Sequence, residues 1–248
     1  LHSTSRRQRQ MCIRDSCLNN LKHSMNEAKT SVADWFHTNS LCLNLSKTKI
    51  NYFSLRKIED CKVDTTKFLG VTLDGGLLWD THSMLVAQSM CGGIYVLRNL
   101  RNIVSQQILR MAYYSLTHSI MTYAIIVWGH APAAQRVFRV QRRAIRVVHN
   151  LGYRADCRSA FKTLKILTFP SEFVFQCILN IRKTINNYTR REDLHAFNTR
   201  TRHNLHVNFH RLKRSRNSSS FWGPQFYNKL PERVRMLLSL IHISEPTR

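Results

Sequence analysis

Eighteen residues, "AAQRVFRVQRRAIRVVHN" from Ala133 to Asn150, constrain the fold more than any other stretch of the chain. On a helix turning ~100° per residue, Arg136, Arg139, Arg142, Arg143 and Arg146 fall within an arc of about 120°. Val137, Phe138, Val140, Ala144, Ile145, Val147 and Val148 fill the rest, with Gln141 and the small Ala133 and Ala134 as exceptions. Such a helix must lay one side on a core and turn a strip of guanidiniums outward. No acid interrupts the strip, whereas ordinary solvated faces mix signs. A guanidinium is a planar fork that can donate two hydrogen bonds to one phosphate without reading sequence, so phosphate contact is the expected role of these five side chains.

The remaining elements must supply the core that this helix covers. Leu18, Leu21, Met25, Ala28, Val32 and Trp35 step by three and four, which predicts a helix ending near "HTNS" with Asn39 as its C-cap. Leu41, Leu43 and Leu45, then Ile50, Tyr52 and Leu55, predict an extended segment with a polar turn at 46–49. "KFLGVTLDGGLLW" predicts a hairpin: strand "FLGVTL", a turn at Asp74-Gly75-Gly76, then Leu77 to Trp79. Asp80 or Thr81 should cap the next helix, in which Gly92 and Gly93 mark a close contact or a kink. Ser105 should cap a single long apolar helix ending at Gly129. Beyond Gly152 the pattern stays helical in pieces, and Pro170 sits where a first helical turn tolerates it. Residues 186–217 are polar, basic and histidine-rich, and are expected to be loosely ordered alone. The aromatic "FWGPQFYNKLP" should pack back on the body. The fold class expected is mainly α with a small β component.

The two ends depart from this character. Back-translated, "LSLIHISEPTR" (238–248) resembles a transposase adapter used in sequencing libraries, and "RRQRQMCIRDS" (6–16) resembles its partner in a shifted frame. Residues 1–16 and 238–248 are therefore set aside as non-native, as tags are. The chain carries +24; the first stretch holds Arg6, Arg7, Arg9, Arg14 and Asp15, and in the last Glu245 and Arg248 cancel, which leaves +21 on residues 17–237. So large an excess repels itself unless a polyanion neutralises it, and nucleic acid is the expected partner, ahead of an anionic membrane surface. The longest apolar stretch, around "SIMTYAIIVWG", falls short of the ~18 residues a membrane-spanning helix needs. Cys17, Cys42, Cys61, Cys91, Cys157 and Cys177 are scattered, with no paired spacing, as expected of reduced thiols in an intracellular chain. His203, His206 and His210 lack cysteine or acidic partners at ligand spacing, so no metal site is expected.

The phrases "ADWFHTNSLCLNLSKTKI", "KFLGVTLDGGLLWDTH", "YYSLTHSIMTYAIIVWG", "VQRRAIRVV", "LKILTFPS", "NTRTRHNL" and "FYNKLP" together resemble, in order, the reverse transcriptases of non-LTR (LINE-type, jockey-like) retrotransposons. The resemblance implies the end of the palm at 17–80, a helical thumb-like region at 81–151, and a C-terminal helical and basic region at 152–237. "NLSKTK" is similar to the family's motif D, which makes Lys47 the lysine proposed to protonate departing pyrophosphate; a leaving phosphate gathers charge that an ammonium can neutralise. "FLGVTLDGG" is similar to motif E, the primer grip, in which Phe68, Leu69 and Gly70 would press on the 3′ end of the primer strand. The arginine helix falls in the thumb-like part, where the template–primer duplex is held by its backbone.

In that family, aspartates of the palm hold two Mg2+ ions that clamp the attacking and leaving oxygens. No Asp-Asp pair exists in this sequence, and Asp34 in "VADW" is a lone helical acid. Mg2+ is thus implied for a full-length polymerase, no cofactor is expected in this stretch, and the chain as written is expected to bind template–primer duplex without extending it. The alternatives are a stand-alone basic RNA- or DNA-binding protein and a decayed retrotransposon relic without function. An uninterrupted frame reaching an Ala-Asp-Asp motif upstream of Cys17 distinguishes the first reading from these.

Overall fold

The computed structural model describes residues 17–44 (backbone alone at 17–19, 21 and 22), 48, 53, 65–194, 197, 199–210, 216 and 218–235. Both stretches set aside as non-native lie outside these residues, as do Lys47, the polar turn at 46–49 apart from Thr48, and the second half of the expected extended segment. The chain forms two compact units, residues 1–50 and 51–248.

In the first unit, α1 (Cys17–Thr38) forms where the three-four spacing places it. Asn39 ends the helix: its backbone N–H and its side-chain amide both donate to the Trp35 carbonyl, and Ser40 follows with φ 55°. Leu41 to Asn44 are irregular rather than a strand. In the helix itself Met25 is half-buried while Val32 and Trp35 are exposed.

Among the described residues the second unit is mainly helical with a small two-stranded antiparallel sheet, as the sequence predicts. Strands β1 (Thr66–Phe68) and β2 (Val71–Leu73) pair with Phe68 opposite Val71. The hairpin turn is therefore at Leu69-Gly70, not at Asp74-Gly75-Gly76. Positive φ at both central residues (45° and 80°) gives the loop the handedness that matches strand twist. The Asp74 carboxylate instead accepts from the Leu78 and Trp79 N–H groups (2.8 and 3.2 Å), turning the chain into α2 (Asp80–Leu100). Trp79, in the left-handed region, is the N-cap of α2, and Asp80 lies in its first turn; neither Asp80 nor Thr81 is the cap.

Helix α2 is continuous through its glycines. Gly93 is needed because a β-carbon there would stand 2.7 Å from the Leu116 carbonyl oxygen, whereas one at Gly92 would meet nothing within 4 Å. Ser105 does cap the next helix, its hydroxyl accepting from the Ile108 N–H (3.5 Å). The single long helix expected to Gly129 is in fact broken. Helix α3 (Gln106–Tyr113) widens into a π turn (Tyr114–His118), α4 (Ser119–Thr122) follows, and Ala124, at φ 50°, interrupts before α5 (Ile125–Trp128). The Trp128 indole donates to the Tyr123 carbonyl freed by the break (3.1 Å). Helix α3, the π turn and α4 all pack against α2.

That helix, α6 (Gln135–Val148), runs along α2 in the most extensive helix pairing of the unit. Val137, Ala144 and Ile145 are fully buried on it, as are Met90 and Leu97 on α2; each large apolar side chain so buried contributes about 1.5–3 kcal/mol. Helix α7 (Arg158–Thr163) and α8 (Phe169–Lys183) complete the core, with Pro170 in the first turn of α8 and the Thr168 hydroxyl capping it. Helix α9 (Ser219–Asn228) packs on α8, with Phe226 stacked on Trp222 and edge-on to Phe173, so the late aromatic cluster does return to the body. Within the polar stretch 186–217, the described residues are more fixed than expected. Arg190 bridges Leu205, which is buried, and Asn228 both donates to the Leu205 carbonyl and accepts from its N–H (2.9 Å each). Cys42, Cys91, Cys157 and Cys177 are free thiols, and burial pushes the Cys177 thiol up to about 12.

Candidate nucleic-acid interface

The arginine strip folds as its spacing requires. Arg136 and Arg139 are exposed, and Arg142, Arg143 and Arg146 are half-buried along the same side of α6. Among the described residues no carboxylate lies within 4 Å of any of the five. Three are held from behind. Arg146 donates from Nε to the Ala155 carbonyl (2.7 Å), and the Arg142 guanidinium lies over the Phe138 ring (5.2 Å to its centre). Arg136 reaches the Asp80 carbonyl at 3.5 Å, the limit of a hydrogen bond. The Nε atoms of Arg142 and Arg143 are sealed from solvent and meet no acceptor. Arg142 and Arg146 are thus restrained by contacts that leave their Nη groups available, and restraint lowers the entropy lost on meeting a phosphate.

Gln141, the polar residue on the apolar side of the strip, is fully buried and ties the ridge to its support. Its Nε2 donates to the Tyr113 hydroxyl (3.1 Å) and the Leu167 carbonyl (2.9 Å), and its Oε1 accepts from the Phe169 N–H (2.8 Å). Burial raises the Tyr113 phenol well above its ordinary range, so the hydroxyl stays neutral.

The hairpin presents Phe68, Leu69 and Gly70 at its tip. Phe68 and Leu69 are 62% and 74% exposed, so they form no part of the core. Two contacts seat the hairpin. The Tyr123 hydroxyl donates to the Leu69 carbonyl (2.6 Å), its ring lying where a β-carbon on Gly70 would come to 3.2 Å. His82, on the first turn of α2, accepts from the Thr72 N–H at Nδ1 (3.3 Å) between the rings of Trp79 and Trp128. Burial lowers the pKa of His82, which keeps Nδ1 free to accept. The hairpin and Arg136 therefore both meet the N-terminal end of α2. Lys47 lies outside the described residues.

Arg158, Lys162 and Lys165 were not singled out in the sequence, yet they join Arg142 and Arg146 around a cavity of about 820 Å3. Their spacing of four and then three was the available signal, but α7 is too short to read as a patterned face. The histidines of "HNLHVNFH" do not converge: His203 Nδ1 meets the Glu192 carboxylate (3.0 Å). That carboxyl sits below the usual range, because slight desolvation, which raises it, is outweighed by the Arg190 hydrogen bond and the His203 charge. Among the described residues no group of three or more His, Cys, Asp or Glu is placed to hold a metal ion. No described helix is long and apolar enough to cross a membrane. Comparison with protein-family models, with curated proteins and with solved structures returned no match.

Proposed function

We propose that this chain grips nucleic acid, and that it carries the end of the palm, the thumb and the C-terminal region of a non-LTR retrotransposon reverse transcriptase. The observation that carries the first part is the one-sided ridge of α6: five arginines on one side, three of them held by contacts of their own, with no carboxylate within 4 Å among the described residues. The second part rests on the ordered series of phrases from "ADWFHTNS" to "FYNKLP", and on the hairpin tip, which offers Phe68 and Leu69 outward as a primer-grip role requires. The ridge holds duplex by its phosphates, the hairpin tip lies against the end of the primer strand, and Lys47 serves the departing pyrophosphate. In the parent polymerase, Mg2+ held by upstream aspartates would supply the chemistry of nucleotide addition.

The ridge is tested through salt. Each phosphate neutralised by a cation releases a counterion, so the logarithm of affinity falls with the logarithm of salt concentration by about 0.9 per contact on B-form DNA. Arg136 and Arg139 are exposed and can be changed without touching the core. Arg136→Gln with Arg139→Gln should make that slope shallower by about 1.8 for a blunt duplex. An unchanged slope would remove α6 from the contact surface.

A further inference from the structure

Between α6, α7 and the start of α8 lies the cavity of about 820 Å3, within the range of small-ligand sites and too small for a duplex. Phe138, Phe161, Ile166 and Leu167 supply apolar wall. Around them stand five cations, Arg142, Arg146, Arg158, Lys162 and Lys165, against one acid, Asp156. The acid is already engaged, accepting from the Arg158 N–H at 3.2 Å. Two of the cations are prepared in advance. Arg146 is fixed by its Nε bond to the Ala155 carbonyl, with no acceptor at its Nη groups among the described residues. Arg142 stands over the Phe138 ring, its guanidinium carbon 5.2 Å from the ring centre, offering a planar cation beside an aromatic side chain.

Lys165 adds an independent sign. It follows α7 in the left-handed region (φ 52°), where the Lys165 and Ile166 N–H groups close the helix end by donating to the Lys162 and Phe161 carbonyls (3.1 and 3.0 Å). Glycine is the residue that suits this position, and a side chain there is a strain that packing must offset. Here the strained position carries an exposed ammonium to the edge of the cavity.

We propose that this cavity holds a single unpaired nucleotide, its base against Phe138 and Phe161 and its phosphate among Arg142, Lys162 and Lys165. Arg142 and Arg146 belong to both cavity and ridge, so a strand leaving the end of a duplex held on α6 can drop its first unpaired base into the cavity. Aromatic faces stack any base, and cations track the phosphate, so the site is indifferent to sequence. The strand-borne form of this inference rests on the nucleic-acid reading of the ridge; the nucleotide chemistry of the cavity does not.

The test uses the full chain and three probes: a short blunt duplex, the same duplex with a single-stranded overhang, and AMP. The overhang should tighten binding about tenfold, the scale of one stacked base. Millimolar AMP should abolish that advantage, weakening overhang binding more than blunt binding, which shares only Arg142 and Arg146 with the cavity. In Lys162→Gln with Lys165→Gly the ratio of overhang to blunt affinity should fall to near one. Lys165→Gly alone should unfold at the same temperature as wild type or higher, because glycine relieves the left-handed position, and it should still lower the ratio. A ratio of one in the wild-type protein with the blunt duplex bound overturns the strand-borne site and leaves the ridge standing. Should neither duplex bind, the ridge reading fails, and AMP decides the cavity: saturable binding weakened by the two substitutions assigns it to a free nucleotide, and no binding overturns the proposal.

Discussion

Gln141 holds the arginine helix in place, and replacing it by leucine measures how strongly. The substitution keeps much of the side-chain volume and removes three hydrogen bonds at once: to the Tyr113 hydroxyl, to the Leu167 carbonyl and from the Phe169 N–H. Leu167 is partly exposed, so water can replace the lost donor at its carbonyl. Tyr113 and the Phe169 N–H are buried and have no such recourse. Two stranded buried groups cost about 1–3 kcal/mol each, and the apolar replacement returns about 1 kcal/mol, which leaves a net loss near 3 kcal/mol. For a chain of this size that is a fall in Tm of about 6–12 °C, read by far-ultraviolet circular dichroism. Gln141→Glu separates polarity from packing. A carboxylate cannot donate to the Leu167 carbonyl, but a carboxylic acid can, so the folded state should raise the pKa of Glu at this position. Relative to wild type, that variant should be most stable below the ordinary Glu value of about 4.3 and lose stability as pH rises above it. A Gln141→Leu protein melting within about 2 °C of wild type, or a Gln141→Glu deficit independent of pH, would refute the arrangement.

The other expectations concern the elements around the ridge. Burial lowers His82 and His130 below their ordinary 6.5, so between the lowered values and 6.5 the unfolded chain binds more protons than the folded one. Their contribution is fully present above pH 6.5 and is lost as pH falls through the folded values, so Tm should drop between about pH 7 and 5, and His82→Asn with His130→Asn should flatten the drop; a flat wild-type profile refutes this. Gly93→Ala should destabilise by about 1–3 kcal/mol despite alanine's better helix propensity, because the new methyl meets the Leu116 carbonyl, while Gly92→Ala, facing open space, should stabilise by up to about 1 kcal/mol. Chemical denaturation ranks the pair, and equal effects would exclude the close approach. Tyr123→Phe should lose about 1 kcal/mol and speed hydrogen exchange at residues 69–71, with the ridge unaffected; unchanged exchange there would mean the hairpin is seated by His82 alone.

What the sequence determined by itself is what depends on periodicity and on single-residue chemistry. The helix at 17–38, the two-sided character of α6, the Ser105 cap and the place of Pro170 follow from side-chain spacing and local hydrogen bonding, which act over a turn or two. The hairpin lay within reach, but Asp74-Gly75-Gly76 drew the turn to itself; at Leu69-Gly70 the Tyr123 hydroxyl holds the tip and His82 holds β2 at Thr72, both from across the fold. The break at Ala124 and the π turn at 114–118 had no local warning, since no proline or glycine marks them. The π turn lies where Gly93 of α2 comes against Leu116, and the pieces beyond it pack on α8. The same holds for Gln141, an unremarkable polar residue until the Tyr113 hydroxyl, the Leu167 carbonyl and the Phe169 N–H converge on it, and for Arg158, Lys162 and Lys165. A cavity is made by segments distant in sequence, so its charge becomes visible only when packing brings them together.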